Sequence, residues 1–448
     1  MDSRLLIFVT IRPPQTVVIV GAGLTGLATA LFLSEQGRFD ITLIDLVSDA
    51  EGYATNAHDP VPIILGRHRE TLRLLRLIQP PPTSGVFSFV LEFRLASRQT
   101  VSYRPLPLPG SWQWIVGLLR FRGLTWQERW TLLSYLEQLW EGALSFPSDL
   151  DNHTADQWLA SIGQSQASRR QIWNPLSRWL TGNHLECLSA SVFVHQLTEI
   201  FLQQARDVSL CSLHGSIGDR FLTPLRQALE RKGIIPLRYA ERPFLQLGPN
   251  GIEAIRLSDG RRLQARWYIT ALSHRELLAL LPEQLLARYA YFARLIDLKP
   301  LPEATVEFRL GLVPPCPRLV LLPDHLFHQA IITPSGSNQM TCRLSIAAPP
   351  PLEELSDDHL LQAARAELQQ LYSHNLPIET STGTVHRHEQ AALSLHPGVT
   401  LRRPLQQSPL PNLLLAGPWT DTGWPANVES AIVSARRCTD IVHRQSTA

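Results

Sequence analysis

Hydrophobic and polar positions along this chain fall into blocks with different periods. In "TVVIVGAGLTGLATALFLSEQGRFDITLIDL" (16–46), positions 17–20 form a continuous apolar run, as in a parallel strand buried on both faces. A Gly-rich turn follows, then an Ala/Leu-faced stretch that predicts a helix ending near Gly37, where a C-cap glycine belongs. "ITLIDL" reads as a second buried strand, so the block is a βαβ unit. From residue 68 to about 200 the periodicity predicts mostly helix, in "RETLRLLRLI", "WQWIVGLLRFRGL", "WQERWTLLSYLEQLW" and "ASRRQIWNPLSRWL". Most of the eleven tryptophans lie there. "FLTPLRQALERKG" (221–233) predicts another helix, and "GIEAIRLSDGRRLQARWYITAL" (251–272) a hairpin around Asp259-Gly260 feeding a strand. Residues 285–400 mix strands with one amphipathic helix, "DDHLLQAARAELQQLYSH" (357–374). "PNLLLAG" (411–417) is again a buried strand, and "VESAIVSARRCTDIV" (428–442) a closing helix.

A length of 448 residues, 44% of them hydrophobic, exceeds one simple core and predicts two or three lobes. The net charge of +2 comes without a polybasic run or a basic–aromatic ladder, which argues against nucleic acid as a partner. Cys187, Cys211, Cys316, Cys342 and Cys438 are scattered and form no C-x-x-C, so reduced cysteines in a cytoplasmic protein are expected, not a disulfide framework or a zinc site. His68, His184, His195 and His214 stand apart, without a second ligand at helical or turn spacing, so no metal site is expected. "LLIFVTI" (5–11) is too short to span a membrane and reads as an N-terminal extension over 1–14.

Gly21, Gly23 and Gly26 form G-x-G-x-x-G, with Ala22, Leu24 and Thr25 between them. The first glycine permits the tight turn, the second a close approach of backbone to a pyrophosphate, and the third close helix–strand packing. The following helix start offers free N–H groups and a positive dipole to phosphate. Asp45 ends the second strand, about twenty residues on, where a carboxylate accepts from a ribose diol. Together these predict dinucleotide binding. A closing strand–turn–helix that returns some 400 residues later points to FAD over NAD, with Gly417, Val428 and Glu429 as further candidates. Glu429, in the first turn of the last helix, equally suits a charge that stabilises a helix start.

The segments "SYRPLPLPGSWQWIVGLLRFRGLTWQERWTLLSYL", "IWNPLSRWLTGNHLECLSASVFVHQL" and "PNLLLAGPWTDTGWPANVESAIVSARR" resemble, in order and spacing, the hydroxysqualene dehydroxylase family of FAD-dependent enzymes. That family lies within the carotenoid-desaturase and flavin amine-oxidase superfamily. The likeness runs from about residue 15 to 442, and W-x-P-L followed by E-x-x-S-A-x-x-F is its most specific part. It implies an α/β fold: a Rossmann-like FAD/NAD(P)-binding domain with a discontinuous α+β substrate domain of the amine-oxidase/desaturase kind. The expected parts are 15–66, 205–280 and 405–443 for FAD, and 67–204 and 281–404 for substrate. It further implies FAD as cofactor, removal of a hydroxyl from hydroxysqualene to give squalene in hopanoid synthesis, and a long apolar tunnel for this C30 isoprenoid. Pathway enzymes and the inner face of the cytoplasmic membrane are the implied partners. "WQWIVGLLRFRGLTW" (112–126), with Trp at its ends and Arg120 and Arg122, suits the membrane interface; a core helix is the alternative. The resemblance identifies no catalytic residue.

Four positions depart from that family, all around FAD. "DAEGYATN" has one glycine, Gly52, where the family has G-G-R; Asp59, Pro60, Val61 and Pro62 replace N-G-Q-H; Glu241 or Pro243 stands where a valine should meet adenine; and Pro418 follows Gly417 where an Asp should meet the ribityl chain. Each lost hydrogen bond costs roughly 1–3 kcal/mol, so weakened FAD binding in a non-catalytic, isoprenoid-binding relative is the alternative function, and carotenoid or squalene desaturation a further one.

Overall fold

A computed structural model describes residues 15–46, 61–78, 86–104, 108, 112–140, 150–201, 209–213, 215–311, 318–323, 325–334, 339–347, 354–372 and 383–447. Residues 1–14, Gly52, Asp59, Pro60 and His214 lie outside them, and with them the expectations placed there.

The βαβ unit forms as its pattern predicts. Strand β1 (Gln15–Val20), helix α1 (Leu24–Ser34) and strand β2 (Phe39–Leu46) open the chain, and Gly37 sits beyond the helix at φ +64°. Strands β1 and β2 pair in parallel, with Val20 opposite Ile44. They join three more parallel strands in the order Leu413–Leu415, Trp267–Thr270, β1, β2, Leu237–Tyr239. Residues 17–20 of β1, Trp267–Thr270 and Leu413–Leu415, at its centre, are buried on both faces, which is why they read as near-continuous apolar runs. Val17 and Ile19 pack toward α1, the helix Thr223–Glu230 and the closing helix Val428–Thr447. Val18, Val20 and Ile44 face the opposite way, into the large core shared with the rest of the chain.

Helix α2 (Arg69–Ile78) follows strand β3 (Ile64–Leu65). The next stretch departs from the expected run of helix. Strands β4 (Val86–Phe89), β5 (Leu91–Arg94) and β6 (Thr100–Tyr103) precede the helices α3 (Trp112–Arg120) and α4 (Trp126–Trp140). The alternation of Leu91 and Phe93, buried, with Glu92 and Arg94, less so, is a strand period that apolar density obscured. Residues 112–126 are likewise not one helix: α3 stops at Arg120, and a turn around Gly123 leads into α4.

A second sheet of seven strands runs Thr384–Leu393, Pro300–Gly311, Gln339–Ala347, Gln329–Pro334, Arg318–Leu321, β5, β6. It is antiparallel except where Arg318–Leu321 meets β5. Its two faces differ completely. Ala304, Val306, Phe308, Leu310, Cys342, Leu344 and Ile346 pack under the helix Asp357–Tyr372 as one apolar core. Glu303, Thr305, Glu307, Arg343 and Ser345 point the other way, toward the closing turn and β3.

Candidate functional site

The glycines of the first turn are required by contact geometry. Gly21 takes φ +107°, and a Cβ there would lie 2.4 Å from the Ala271 carbonyl oxygen. A Cβ on Gly26 would lie 1.8 Å from the Gly21 oxygen, so the helix can approach the strand only with hydrogen at that position. Gly23 differs: nothing lies within 4 Å of its Cβ position, and it is the one exposed residue between Val17 and Leu33. An open backbone here is a cradle for a group that must come close. No side chain caps α1, and its first N–H groups, from Leu24, Thr25 and Gly26, point out of the helix start with no intrahelical acceptor. Ala22, Leu24 and Thr25 are themselves buried and fix the turn from below.

Gly21 N–H donates to the Ile44 carbonyl at 2.8 Å, which brings Asp45 beside the turn. The Asp45 carboxylate lies 3.6 Å from the Arg238 guanidinium on the neighbouring strand. Helix start, open glycine and strand-end acid therefore converge as the pattern predicted, and these residues fit the pyrophosphate and ribose of FAD. Of the two adenine candidates, Pro243 is buried and Glu241 exposed.

The closing segment is more tightly tied than its sequence shows. Gly417 N–H donates to Ser434 Oγ at 2.9 Å, and a Cβ on Gly417 would strike the Trp419 ring. Pro418 is buried; its carbonyl accepts from Ser430 Oγ at 2.8 Å and from Arg403 at 3.0 Å. The guanidinium of Arg403, 8% exposed, also donates to the carbonyls of Trp419, Thr420 and Trp424. One arginine thus gathers the whole turn, a role that no local motif announces. Asp421 caps the same loop, accepting from Gly423 N–H.

Val428 lines the central cavity. Glu429 does something neither sequence reading described. Its carboxylate accepts from the N–H groups of Glu70 and Thr71 at 3.1 and 2.9 Å and from Thr71 Oγ1 at 2.6 Å, so it caps helix α2 from another element. Both oxygens accept there, so its side chain ties the closing helix to α2. Burial raises its pKa, against the lowering effect of those hydrogen bonds.

A cavity of about 250 Å³ lies between the closing turn, β3 and the polar face of the seven-stranded sheet. Its wall is largely apolar, through Ile63, Leu65, Trp179, Ile331 and Trp424, with polar groups set into it. Arg178, Arg343, His68, His328, Glu303 and Glu307 line it, with Thr305 and Ser345 hydroxyls bonded to each other at 3.2 Å. Arg178 is pulled down to about 10 by burial, with Glu303 opposing. Burial also lowers Arg343, opposed by Glu307. His68 packs edge-on against Trp424, and burial pushes it down to about 3, so its ring is neutral. Its Nδ1 accepts from Leu65 N–H at 3.4 Å, which places the proton on Nε2; that atom is buried in the cavity wall without a protein partner. His328 is held well below the ordinary value by burial and then by Arg178 and His184. Its Nδ1 accepts from Ala347 N–H at 3.1 Å, so its Nε2 also carries the proton. Hydrogen-bond donors and the Glu303 and Glu307 carboxylates are therefore set together in a mostly apolar wall. In sequence, His68 reads as an isolated residue.

His195 lies outside this lining; its Nε2 sits against Gly423. A separate apolar cavity of about 50 Å³ lies among Phe93, Tyr103, Leu118, Phe121, Trp173 and their neighbours. Cys187, Cys211, Cys342 and Cys438 are free thiols. No helix among the described residues is long and apolar enough to cross a membrane.

Comparison with known proteins bears on this arrangement. The family model of flavin-containing amine oxidoreductases matches residues 63–443, and that of NAD(P)-binding Rossmann-like domains residues 19–72. The chain is 24% identical to 15-cis-phytoene desaturase of Solanum lycopersicum, over 96% of this chain and 78% of that one. It is 23% identical to 15-cis-phytoene desaturase of Synechococcus elongatus, over 94% of each. Among solved structures, an oxidoreductase from Methanosarcina mazei superimposes with a TM-score of 0.70 at 13% identity, over 95% of this chain and all of that one. Cyclohexylamine oxidase from Brevibacterium oxydans gives 0.68 at 14% identity, over 97% and 100%.

Proposed function

The chain belongs to the flavin-containing amine oxidoreductase family, and we propose that it is a FAD-dependent oxidoreductase of the carotenoid-desaturase type that removes the hydroxyl of hydroxysqualene to give squalene. The observation that carries this reading is the set of polar groups, Arg178, Arg343, His68 and His328 among them, held in the otherwise largely apolar wall of the central cavity. A hydrocarbon offers no acceptor to buried donors, and leaving such donors unpaired is costly. A hydroxylated isoprenoid offers one.

FAD would be held by the turn from Gly21 to Gly26, by Asp45 and by the Gly417 turn. Bound in its fully reduced form, FADH₂, it would supply both a hydride and a proton and become FAD, so that a carbon–hydrogen bond replaces the carbon–oxygen bond and the oxygen leaves as water. The chain's own contribution is to the oxygen. His68 Nε2–H and His328 Nε2–H are neutral donors, and the guanidinium groups of Arg178 and Arg343 are charged ones. Donors aimed at a departing oxygen stabilise its developing charge most where water is excluded. Glu303 and Glu307 balance the arginines.

Pro418 favours a second reading, an isoprenoid-binding relative with weakened FAD affinity, because it supplies neither a carboxylate nor an N–H. Anaerobic incubation with reduced FAD decides between them. The proposed reading expects squalene from hydroxysqualene. Failure of the protein to take up FAD in a titration, together with absent turnover, supports the second. Desaturation of squalene or of a carotene, with hydroxysqualene untouched, overturns the proposed substrate.

A further inference from the structure

The α3–α4 hairpin carries a surface unlike the rest of the described chain. Trp112, Trp126 and Trp130 are 65%, 63% and 60% exposed, whereas Trp158, Trp173, Trp267 and Trp419 are buried. Trp126 and Trp130 stand four residues apart and so share one face of α4. Between α3, β6 and the turn that follows α3 lies a surface cleft of about 610 Å³, whose charged lining is Arg104, Arg120, Arg122 and Arg129. Among the described residues no acidic side chain lines it.

The four arginines have different tasks. Arg129 donates to the carbonyls of Leu119 and Leu124 and braces the turn. Arg104, Arg120 and Arg122 are exposed and make no ion pair or hydrogen bond with the described residues. The nearest acid on α4, Glu128, is turned inward. Its carboxylate accepts from Thr125 N–H and Oγ1 and from Ser165 N–H, so it leaves the cleft's charge unopposed. Behind the same hairpin, Leu118, Phe121, Leu124 and Leu132 wall the apolar cavity.

We propose that this hairpin docks on an anionic bilayer, with headgroup phosphates in the arginine cleft and the exposed tryptophans in the interfacial layer. Indole rings favour that layer because one end is apolar and the other a hydrogen-bond donor. Unpaired guanidinium groups match phosphate in charge and fork geometry. Association is peripheral, since no described helix can cross a membrane. Docking in this orientation places the apolar cavity behind the membrane-facing hairpin, where a lipid-dissolved substrate arrives. The docking itself does not depend on which reaction the central cavity performs.

Vesicle co-sedimentation of the full chain tests this. The expected result is binding to phosphatidylcholine vesicles containing phosphatidylglycerol, weak binding to phosphatidylcholine alone, and release by added salt. The double variant Arg120→Gln/Arg122→Gln should weaken binding by roughly 25-fold, since each basic residue near an anionic surface contributes about fivefold. Trp126→Ala should weaken it less. An unchanged thermal midpoint for these surface variants shows that they fold. Equal binding to both vesicle types, no binding to either, undiminished binding by the double variant, or saturable uptake of inorganic phosphate without vesicle binding would each overturn the proposal.

Discussion

The two faces of the seven-stranded sheet come from the same strands and the same alternation, yet they do different work. One face, through Val306, Phe308 and Leu344, is sealed under the helix Asp357–Tyr372 as ordinary core. The other, through Glu303, Glu307 and Arg343, is roofed by the closing turn and β3 and encloses the central cavity. A period of two records that the faces differ but not which partner covers each. A polar face usually means solvent; here it means a site, because a second layer of chain lies over it. The apolar face should therefore govern stability and the polar face ligand preference, and substitutions on each can break that division.

Phe308 is fully buried on the apolar face. Phe308→Ala should lower unfolding free energy by about 3–5 kcal/mol through the cavity left behind, with the folded fraction keeping its preference for hydroxylated ligand. Denaturant melts beside ligand titrations read both. On the polar face, Arg343→Met should do the reverse. Turnover should fall by roughly a hundredfold, on the scale of a lost charge-stabilising donor, while stability falls less than in Phe308→Ala, since the relieved desolvation of Arg343 offsets part of what the half-buried Glu307 loses with its partner. A large stability loss with normal turnover would erase the distinction between the faces.

A smaller effect follows from the buried histidines. His68 titrates in the fold at about 3 and His274 at about 4, both because burial disfavours the charged ring, against an ordinary value of 6.5. The unfolded chain takes these protons first. Stability is therefore full above pH 6.5 and falls as pH drops below it toward those values, by roughly 1 kcal/mol per histidine per pH unit. Denaturant midpoints measured from pH 7 to pH 5 should decline accordingly, and less steeply in His68→Phe. The smallest effect expected is at the closing turn. Pro418→Asp should raise FAD affinity several-fold in a fluorescence titration; no change would mean that this buried turn, held by Arg403, does not face the flavin.

The sequence made the nucleotide half of the molecule readable because that half is built from backbone. Gly21 and Gly26 are irreplaceable by contact, and only one residue type answers such a demand. Asp45 was placed by counting along a strand, and the parallel sheet preserved the count. The cavity was not readable, for two physical reasons. Its wall comes from elements far apart in the chain, so His68 and Arg343 meet only in the fold. Its polar strands imitate an exposed face. Glu429 caps a helix that begins some 360 residues earlier, so helix-start chemistry for one element was read as belonging to another. Strands β4 to β6 were hidden by a different cause: only four residues each, they sit in a helix-rich stretch where so short a segment does not separate the two periods.

The central claim is that the buried donors exist for a hydroxyl. Its most direct test is the affinity of the FAD-loaded protein for hydroxysqualene against squalene, each in the same detergent, for the wild type and His68→Phe. The account predicts that the wild type prefers the hydroxylated ligand by at least roughly tenfold, about one hydrogen bond's worth of discrimination, and that His68→Phe narrows the gap while still binding squalene. Equal affinity for the two ligands in the wild type would contradict it.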